Sequence, residues 1–378
     1  MRVKSKIPFI ISLALLALTS CDGEISMQTV INKDGSCSRE ISFSADSLYL
    51  TGGGFNEGVD KENSEVNIHH INLNDEWAMA WAVRGEQERH PFPMSAEQYN
   101  VLNEELKPAG RSVSDTVVVY AQRDFATVGD MCADTPLKFN GKPLAVKGTL
   151  EKKFCWFYTD YCYTEVYECI ADNFTIPLSE YFKSEDEASY WLTGYPNLRE
   201  GKTPAQSSDY MNNWQKCYEE WNKANIASDV FDYIIENYGS IENRSVTKEE
   251  FVAGRQQFID ACKQMEPVPG EFGQVLADFY GESYRYIVAE AMEQNEFMKY
   301  GSLIMLVFKE CISMPGKVID AGRGEVKDGL VVYEISAERL LPGEYVVEVK
   351  SRVPNVWAFV VSALAAVTPF LLRLRKRK

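Results

Sequence analysis

The sequence predicts an α+β fold: an antiparallel sheet built from segments near both ends of the chain, with a block of helices inserted between them. Apolar and polar side chains alternate through much of residues 25–170, which is the period of half-buried strands. Apolar side chains then recur at helical spacing through residues 178–300, and strand-like alternation returns over residues 303–350. Because strands precede and follow the helices, we expect both β-rich segments to join in one sheet.

Two hairpins and a central strand are predicted in the first β-rich segment. Residues 25–31 and 36–44 flank an Asp-Gly pair, in which glycine supplies the positive φ that a tight turn requires. A second hairpin is predicted from residues 66–73 and 77–83. The run 154–158, Phe-Cys-Trp-Phe-Tyr, is apolar on both faces, which is typical of a central strand.

The helical block is predicted from its apolar stripes and from one capping motif. Large apolar side chains recur at helical spacing across residues 210–221 and 231–238. Thr247 and Glu250 form the capping box that begins a further helix, and that helix is expected to end before Pro267.

The beginning of the chain predicts export and lipid attachment. Residues 1–20 have a basic start and a short apolar run, and residues 18–21 read Leu-Thr-Ser-Cys. This pattern resembles the bacterial lipobox, which implies that residues 1–20 are a removed signal peptide and that Cys21 receives a diacylglycerol. The alternative is a plain secretory signal, after which Cys21 is an ordinary thiol.

The end of the chain predicts a transmembrane helix at residues 354–372. Residues 356–372 carry no charge, and the basic tail 373–378 follows at once, as the positive-inside rule expects for a cytoplasmic end. A buried core helix and a cleaved sorting signal are the alternatives. The predicted organisation is a signal peptide at 1–20, a β-rich ectodomain segment at 21–176, a helical insertion at 177–300, a second β-rich segment at 301–353, the transmembrane helix at 354–372 and the tail at 373–378.

Composition and the two ends together predict a location. A hydrophobic content of 45% with 25% charged residues excludes a disordered chain. The net charge of −16 argues against nucleic acid as a partner, because phosphate backbones repel it. We expect a protein of the cell inner membrane, held by lipid on Cys21 and by the single-pass helix in the same bilayer, with its ectodomain in the periplasm. Asp22 resembles an inner-membrane retention signal of enterobacterial lipoproteins.

Motifs for catalysis or metal binding are absent from the sequence. The three histidines are His69, His70 and His90, and neighbouring residues of a strand point to opposite faces, so the first two do not chelate one ion together. No zinc-binding spacing, serine nucleophile motif or phosphate loop occurs. Eight cysteines besides Cys21 permit disulfides without revealing their pairing. We therefore predict no catalytic, cofactor-binding or metal-binding residue and no cofactor.

Four short patches carry a resemblance to a known group of proteins. They are residues 34–36 (Asp-Gly-Ser), 154–159 (Phe-Cys-Trp-Phe-Tyr-Thr), 314–319 (Met-Pro-Gly-Lys-Val-Ile) and 351–357 (Ser-Arg-Val-Pro-Asn-Val-Trp). Together with the lipobox they resemble uncharacterised envelope lipoproteins of the Bacteroidetes and, more distantly, the LppM-type lipoprotein domain of actinobacteria. The resemblance implies a place in the cell envelope and no assigned activity or catalytic residue.

The predicted function is that of a non-enzymatic, membrane-anchored protein that binds an envelope protein or another envelope component. The alternative is a periplasmic or surface glycan hydrolase that uses a carboxylate pair, and a third possibility is a passive tether. Two carboxylates beside an open cleft, about 5 or 6.5–9.5 Å apart, would favour the hydrolase. A closed core with an exposed apolar patch would favour binding.

Overall fold

A computed structural model of the protein describes residues 25–52, 70–294 and 297–375. In this part of the chain the strands are β1 (Ile25–Ile31), β2 (Cys37–Phe43), β3 (Ala78–Val83), β4 (His90–Pro91), β5 (Val117–Phe125), β6 (Lys138–Phe139), β7 (Lys142–Pro143), β8 (Val146–Cys155), β9 (Tyr158–Tyr167), β10 (Val307–Ser313), β11 (Lys317–Asp320), β12 (Glu325–Lys327), β13 (Leu330–Ser336) and β14 (Tyr345–Pro354). The helices are α1 (Ser47–Leu50), α2 (Ala96–Leu106), α3 (Val113–Thr116), α4 (Val128–Ala133), α5 (Glu185–Thr193), α6 (Pro204–Glu236), α7 (Lys248–Ala253), α8 (Arg255–Cys262), α9 (Pro269–Tyr280), α10 (Ile287–Met292), α11 (Met298–Met305) and α12 (Val356–Arg375).

The larger sheet is mixed, with the strand order β12-β13-β10-β1-β2-β5-β3-β4. Met27 of β1 lies opposite Ile41 of the antiparallel β2 and opposite Glu310 of the parallel β10. The predicted all-antiparallel sheet is therefore wrong at the pair β1 and β10. No hairpin joins these two strands, so the long connection through the helices leaves their relative direction open to tertiary packing.

The smaller sheet is antiparallel, with the order β11-β14-β9-β8. The β8–β9 hairpin comes from the first β-rich segment, and β11 and β14 come from the second. Like the larger sheet, it therefore joins segments from both sides of the helical block, and the α+β class predicted from the sequence is confirmed. The prediction of one sheet is wrong, because the strands divide between two.

The inward faces of the two sheets pack against each other. The rings of Tyr167 on β9 and Phe308 on β10 lie 5.7 Å apart. The Tyr333 hydroxyl on β13 donates to the backbone carbonyl of Glu348 on β14 at 2.9 Å. Alternate residues of β1, β2, β9 and β10 are buried in this interface, as expected for strands with one face toward a core.

Helices α5, α7, α8 and α10 pack against α6. Thr203 begins α6 with a capping box, and Pro204 occupies the first turn, where its missing N–H costs nothing. Phe231 of α6 stacks on Phe251 of α7 with ring centroids 4.4 Å apart. The Tyr218 hydroxyl bonds to Glu338 at 2.7 Å and thereby links α6 to the loop after β13.

Two local predictions in the first segment differ from the structure. The hairpin predicted across residues 66–83 is wrong where it can be compared: Ile71 forms an isolated bridge with Leu137, and β3 pairs with β5. Residues 66–69 lie outside the described residues. The central strand predicted at 154–158 is also wrong. Cys155 pairs with Tyr158 across the tip of the β8–β9 hairpin, and β8 is an edge strand.

The predicted transmembrane helix at 354–372 is wrong as well. Within the described residues, the structure contains no helix whose length and apolarity suffice to cross a membrane. Residues 356–372 do lie in the helix α12, but Pro369 lies inside it and Arg373 and Arg375 lie within its end. Seventeen uncharged residues rise about 25 Å in a helix, which is short of a hydrocarbon core of about 30 Å.

Candidate functional site

Aromatic side chains gather where the β8–β9 hairpin meets the start of α12. We call Phe154, Trp156, Phe157, Trp357 and Phe359 the aromatic cluster. Trp357 stacks on Phe154 with ring centroids 6.3 Å apart and meets the edge of Trp156 at 5.1 Å. Phe157 lies 4.8 Å from Phe359. The hairpin tip and the first turns of α12 therefore form one surface.

Polar contacts around Asn355 fix this arrangement. Its backbone N–H donates to the carbonyl of Phe157 at 2.8 Å, and its side-chain amide donates to the carbonyl of Cys155 at 2.8 Å. The hydroxyl of Thr159 donates to the same side chain at 3.1 Å. Farther along the helix, the Trp156 indole N–H donates to the Ser362 hydroxyl at 3.0 Å. These bonds hold α12 against the hairpin at a defined angle.

A bidentate ion pair joins the β8–β9 hairpin to the neighbouring strand β14. Arg352 on β14 donates to the two carboxylate oxygens of Asp160 on β9 at 2.7 and 3.0 Å. Its guanidinium also lies 3.8 Å from the ring centroid of Tyr158. The pair lowers the pKa of Asp160, chiefly through the hydrogen bonds from Arg352. The first residues of β9 after the tip are thereby held by side chains as well as by the sheet.

The aromatic cluster and the side chains of residues 363–369 on α12 are exposed. Phe154 keeps 60% of its accessible surface and Leu364 keeps 63%. Residues 363–369 are exposed without exception, so this part of the helix projects from the body. Contiguous apolar surface of this kind marks an interaction site, whereas singly scattered apolar side chains do not. The other exposed apolar side chains of this surface are Trp156, Phe157, Val356, Trp357, Phe359, Val360, Val361 and Val367.

The charge of this end of the molecule is opposite to that of the whole. Residues 151–160 and 352–375 contain five basic and two acidic side chains, although the whole chain has a net charge of −16. Lys152 and Lys153 are exposed directly before the aromatic tip. The Lys152 ammonium also donates to the backbone carbonyl of Asp34 in the β1–β2 turn. The exposed apolar surface is therefore flanked by positive charge.

A second candidate is a buried charged cluster between the two sheets. Arg39 of β2 donates to both carboxylate oxygens of Glu165 on β9, at 2.7 and 3.1 Å. The same guanidinium donates to Glu310 on β10 at 3.0 Å and to the Thr29 hydroxyl at 3.0 Å. The Tyr167 hydroxyl donates to the second oxygen of Glu310 at 3.1 Å. We call these residues the buried cluster.

The pKa values of the two carboxyl groups shift in opposite directions. Burial and the neighbouring Glu165 carboxylate raise the pKa of Glu310 well above its usual range. Burial also acts to raise the pKa of Glu165, but the Arg39 guanidinium outweighs it, and the net change lowers the pKa. We therefore assign the proton to Glu310, which leaves one guanidinium opposite one carboxylate and a cluster without net charge.

The buried cluster is enclosed and has the features of a structural element. Glu165 and Glu310 have 0% exposure, and both carboxyl groups bond to the same guanidinium. A glycan hydrolase requires its two carboxyl groups on either side of a cleft that admits a sugar. This carboxylate pair therefore does not meet the requirement of the alternative function.

Only some of the other residues singled out in the sequence lie among the described residues. Cys21 and His69 lie outside the described residues, His70 is buried, and the His90 ring packs 4.4 Å from that of Trp81. Within the described residues, no three His, Cys, Asp or Glu side chains are grouped so as to hold a metal ion.

The buried thiols are poorly suited to nucleophilic chemistry. Burial raises the pKa of Cys37 to about 11 and also raises the pKa values of Cys132 and Cys262. These thiols stay protonated near neutral pH, whereas the thiolate is the nucleophile. No disulfide forms among the following described cysteines, which are all thiols: Cys37, Cys132, Cys155, Cys162, Cys169, Cys217 and Cys262.

The buried cluster was not predicted from the sequence, although one signal for it is present there. Arg39 lies on the same side of β2 as Cys37 and Ile41, since alternate residues of a strand share a face. The inward position of a charged residue predicts a buried partner of opposite charge. Which carboxylate provides that partner depends on the packing of the two sheets, and no local pattern contains that information.

Comparisons of this chain with protein-family models, with curated proteins and with solved structures found no match. The resemblance to envelope lipoproteins therefore stays a prediction from the sequence.

Proposed function

We propose that this protein is a non-enzymatic lipoprotein of a bacterial cell envelope, which binds another envelope component through the aromatic cluster and α12. The observation that carries the proposal is the contiguous exposed apolar surface at this end of the molecule. Aromatic side chains provide large contact areas with little loss of conformational freedom on binding, and exposing them to water is unfavourable. The hydrogen bonds of Asn355 hold these side chains in one arrangement.

The beginning of the sequence supports the location. Residues 18–21 match the lipobox pattern, and lipid on Cys21 would hold the folded part against the outer face of the inner membrane. Asp22 supports retention there, with the folded part in the periplasm. A second contact with the envelope would add to the attachment that the diacylglycerol on Cys21 provides.

The enclosed carboxylate pair disfavours the hydrolase alternative at the buried cluster. Glu165 and Glu310 are committed to Arg39, and their oxygens also accept bonds from side-chain hydroxyls. No observation on the described surface favours glycan hydrolysis over binding.

Site-specific photo-crosslinking in the native host tests the proposal. A benzophenone amino acid replaces Phe154 in one variant and Tyr286 in the control, because Tyr286 is a 77% exposed aromatic residue outside this surface. We expect discrete adducts with an envelope component from position 154 and none from position 286. Equal adduct yields at both positions, or no adduct at position 154, would contradict the proposal. Fatty-acid labelling of the wild type and of Cys21→Ser separately tests the lipid anchor.

A further inference from the structure

We infer that the component contacted by the aromatic cluster and α12 is the surface of an anionic lipid bilayer, into which these side chains insert at the level of the headgroups. The inference rests on the proposed function for the choice of surface and adds the chemistry of the partner. Three observations support it: the kinds of side chain present, the charge around them, and the lack of a polar face on the exposed part of α12.

The side chains match the layers of a bilayer interface. Tryptophan and phenylalanine favour the boundary between headgroups and acyl chains, and aliphatic side chains favour the region just below it. Trp156 and Trp357 lie at the base of α12, and Val360, Leu364 and Val367 lie farther along it, all exposed. The same contact surface therefore contains both the aromatic and the aliphatic side chains that a bilayer interface favours.

The surrounding charge selects an anionic membrane. Lys152 and Lys153 precede the aromatic tip, Arg373 and Arg375 end α12, and three further basic residues follow at 376–378. Each basic residue close to an anionic membrane surface contributes attraction that decreases within a Debye length. The rest of this acidic chain is repelled by the same membrane, so this end is the one that approaches it.

The distribution of apolar residues on α12 favours lipid over a protein groove. A helix that binds a groove shows one apolar face and one polar face. In contrast, residues 363–367 read Ala-Leu-Ala-Ala-Val, are exposed on every side, and contain no polar side chain. A helix without a polar face would leave apolar side chains in water beside a protein groove, whereas side chains at the boundary between headgroups and acyl chains contact apolar material.

The geometry also predicts how the molecule lies on the membrane. β9 runs from Tyr158 at the aromatic cluster to Tyr167, whose ring contacts Phe308 opposite Ile25. Ten residues of strand span about 30 Å, so the start of β1 lies at the far end of the sheets. The four peptide steps from Cys21 to Ile25 reach at most about 14 Å. Both ends contact one bilayer only if β9 lies along the membrane surface.

Vesicle binding by the chain without residues 1–20, the predicted signal peptide, tests the inference. Cys21→Ser removes the predicted site of lipid attachment, and binding is measured by co-sedimentation with vesicles of phosphatidylcholine alone or with 30% phosphatidylglycerol. We expect binding to the anionic vesicles to exceed binding to neutral vesicles at least tenfold and to weaken with salt. Val360→Asp combined with Leu364→Asp should reduce it at least tenfold. The control Val326→Asp, an exposed valine on β12, should leave it unchanged.

Each other result contradicts the inference in a defined way. Equal binding to both vesicle types overturns the anionic preference, and no binding to either overturns lipid as the partner. Concentration-dependent dimers that Val360→Asp with Leu364→Asp abolishes, without vesicle binding, would identify a second copy as the occupant. Protein adducts from position 154 in cells, together with absent vesicle binding, would overturn the lipid inference and leave the proposed function standing.

Discussion

Replacing Arg39 by methionine is expected to destabilise the protein by about 3–5 kcal/mol at pH 7.5. The guanidinium is 1% exposed and donates two bonds to Glu165, one to Glu310 and one to Thr29. Methionine fills much of the volume of the side chain but leaves the Glu165 carboxylate buried without its cation. The expected loss is that of an uncompensated buried charge, which exceeds the value of an exposed ion pair several-fold.

The stability that Arg39→Met loses should depend on pH in a defined direction. In the wild type Arg39 holds the pKa of Glu165 below its ordinary 4.5, so this group adds stability above the unfolded pKa that is lost as pH falls through the folded one. Without Arg39, burial should raise that pKa, and the folded state then binds the extra proton. Stability of the variant therefore falls as pH rises above 4.5, by about 1.4 kcal/mol per pH unit until the folded pKa is reached.

Urea unfolding followed by circular dichroism at pH 5.5 and pH 7.5 measures both effects. The background is full-length Cys21→Ser, and the control is Arg89→Met, which removes an ion pair with Glu40 whose arginine is 43% exposed. The control should cost at most about 1 kcal/mol at either pH. For Arg39→Met, the loss in free energy of unfolding relative to wild type should be about 2–3 kcal/mol smaller at pH 5.5 than at pH 7.5. A loss below 1 kcal/mol, or the same loss at both pH values, would refute the reasoning.

Three further results are expected. Glu310→Gln should stabilise the protein increasingly as pH rises above 4.5, because folding of the wild type must protonate Glu310 whereas the amide takes up no proton, and a loss of stability in urea unfolding at pH 7 would place the charge on that residue. Gly316→Ala should lower the free energy of unfolding more than Gly329→Ala; both have φ near +80°, but the first Cβ would lie 2.4 Å from a carbonyl oxygen of β14 and the second lies in open space. Equal losses would contradict this. The Cys262 thiol, with 0% exposure, should resist alkylation until the chain unfolds, and peptide mass spectrometry after labelling of the folded protein checks it.

The first hairpin and the helical block were predictable because local signals determine them. Asp34 and Gly35 specify the turn between β1 and β2, and Thr247 with Glu250 caps α7 as predicted. The parallel pairing of β1 with β10 was not predictable in this way. It joins residues about 280 positions apart, and its direction depends on how two sheets pack around one core.

The predictions for residues 154–158 and for α12 were wrong for a different reason. Residues 154–158 are apolar on both faces, and so are strands buried in a sheet, because composition alone does not distinguish burial from exposure. Likewise, residues 356–372 are uncharged, but the length of the run, Pro369 and the packing against Trp156 and Phe157 decide what the helix does. The surface that we propose for binding was therefore present in the sequence as two segments whose meeting only the fold reveals.

The measurement that tests the central claim most directly is the fluorescence of Trp156 and Trp357 with vesicles containing brominated lipids, since these are the tryptophans of the aromatic cluster and both are exposed. The signal of this pair is the difference between Cys21→Ser and the same chain with Trp156→Phe and Trp357→Phe. We predict a blue shift of the pair on anionic vesicles and quenching by bromine placed near the headgroup end of the acyl chains. An unshifted, unquenched signal would contradict insertion of this surface into a bilayer.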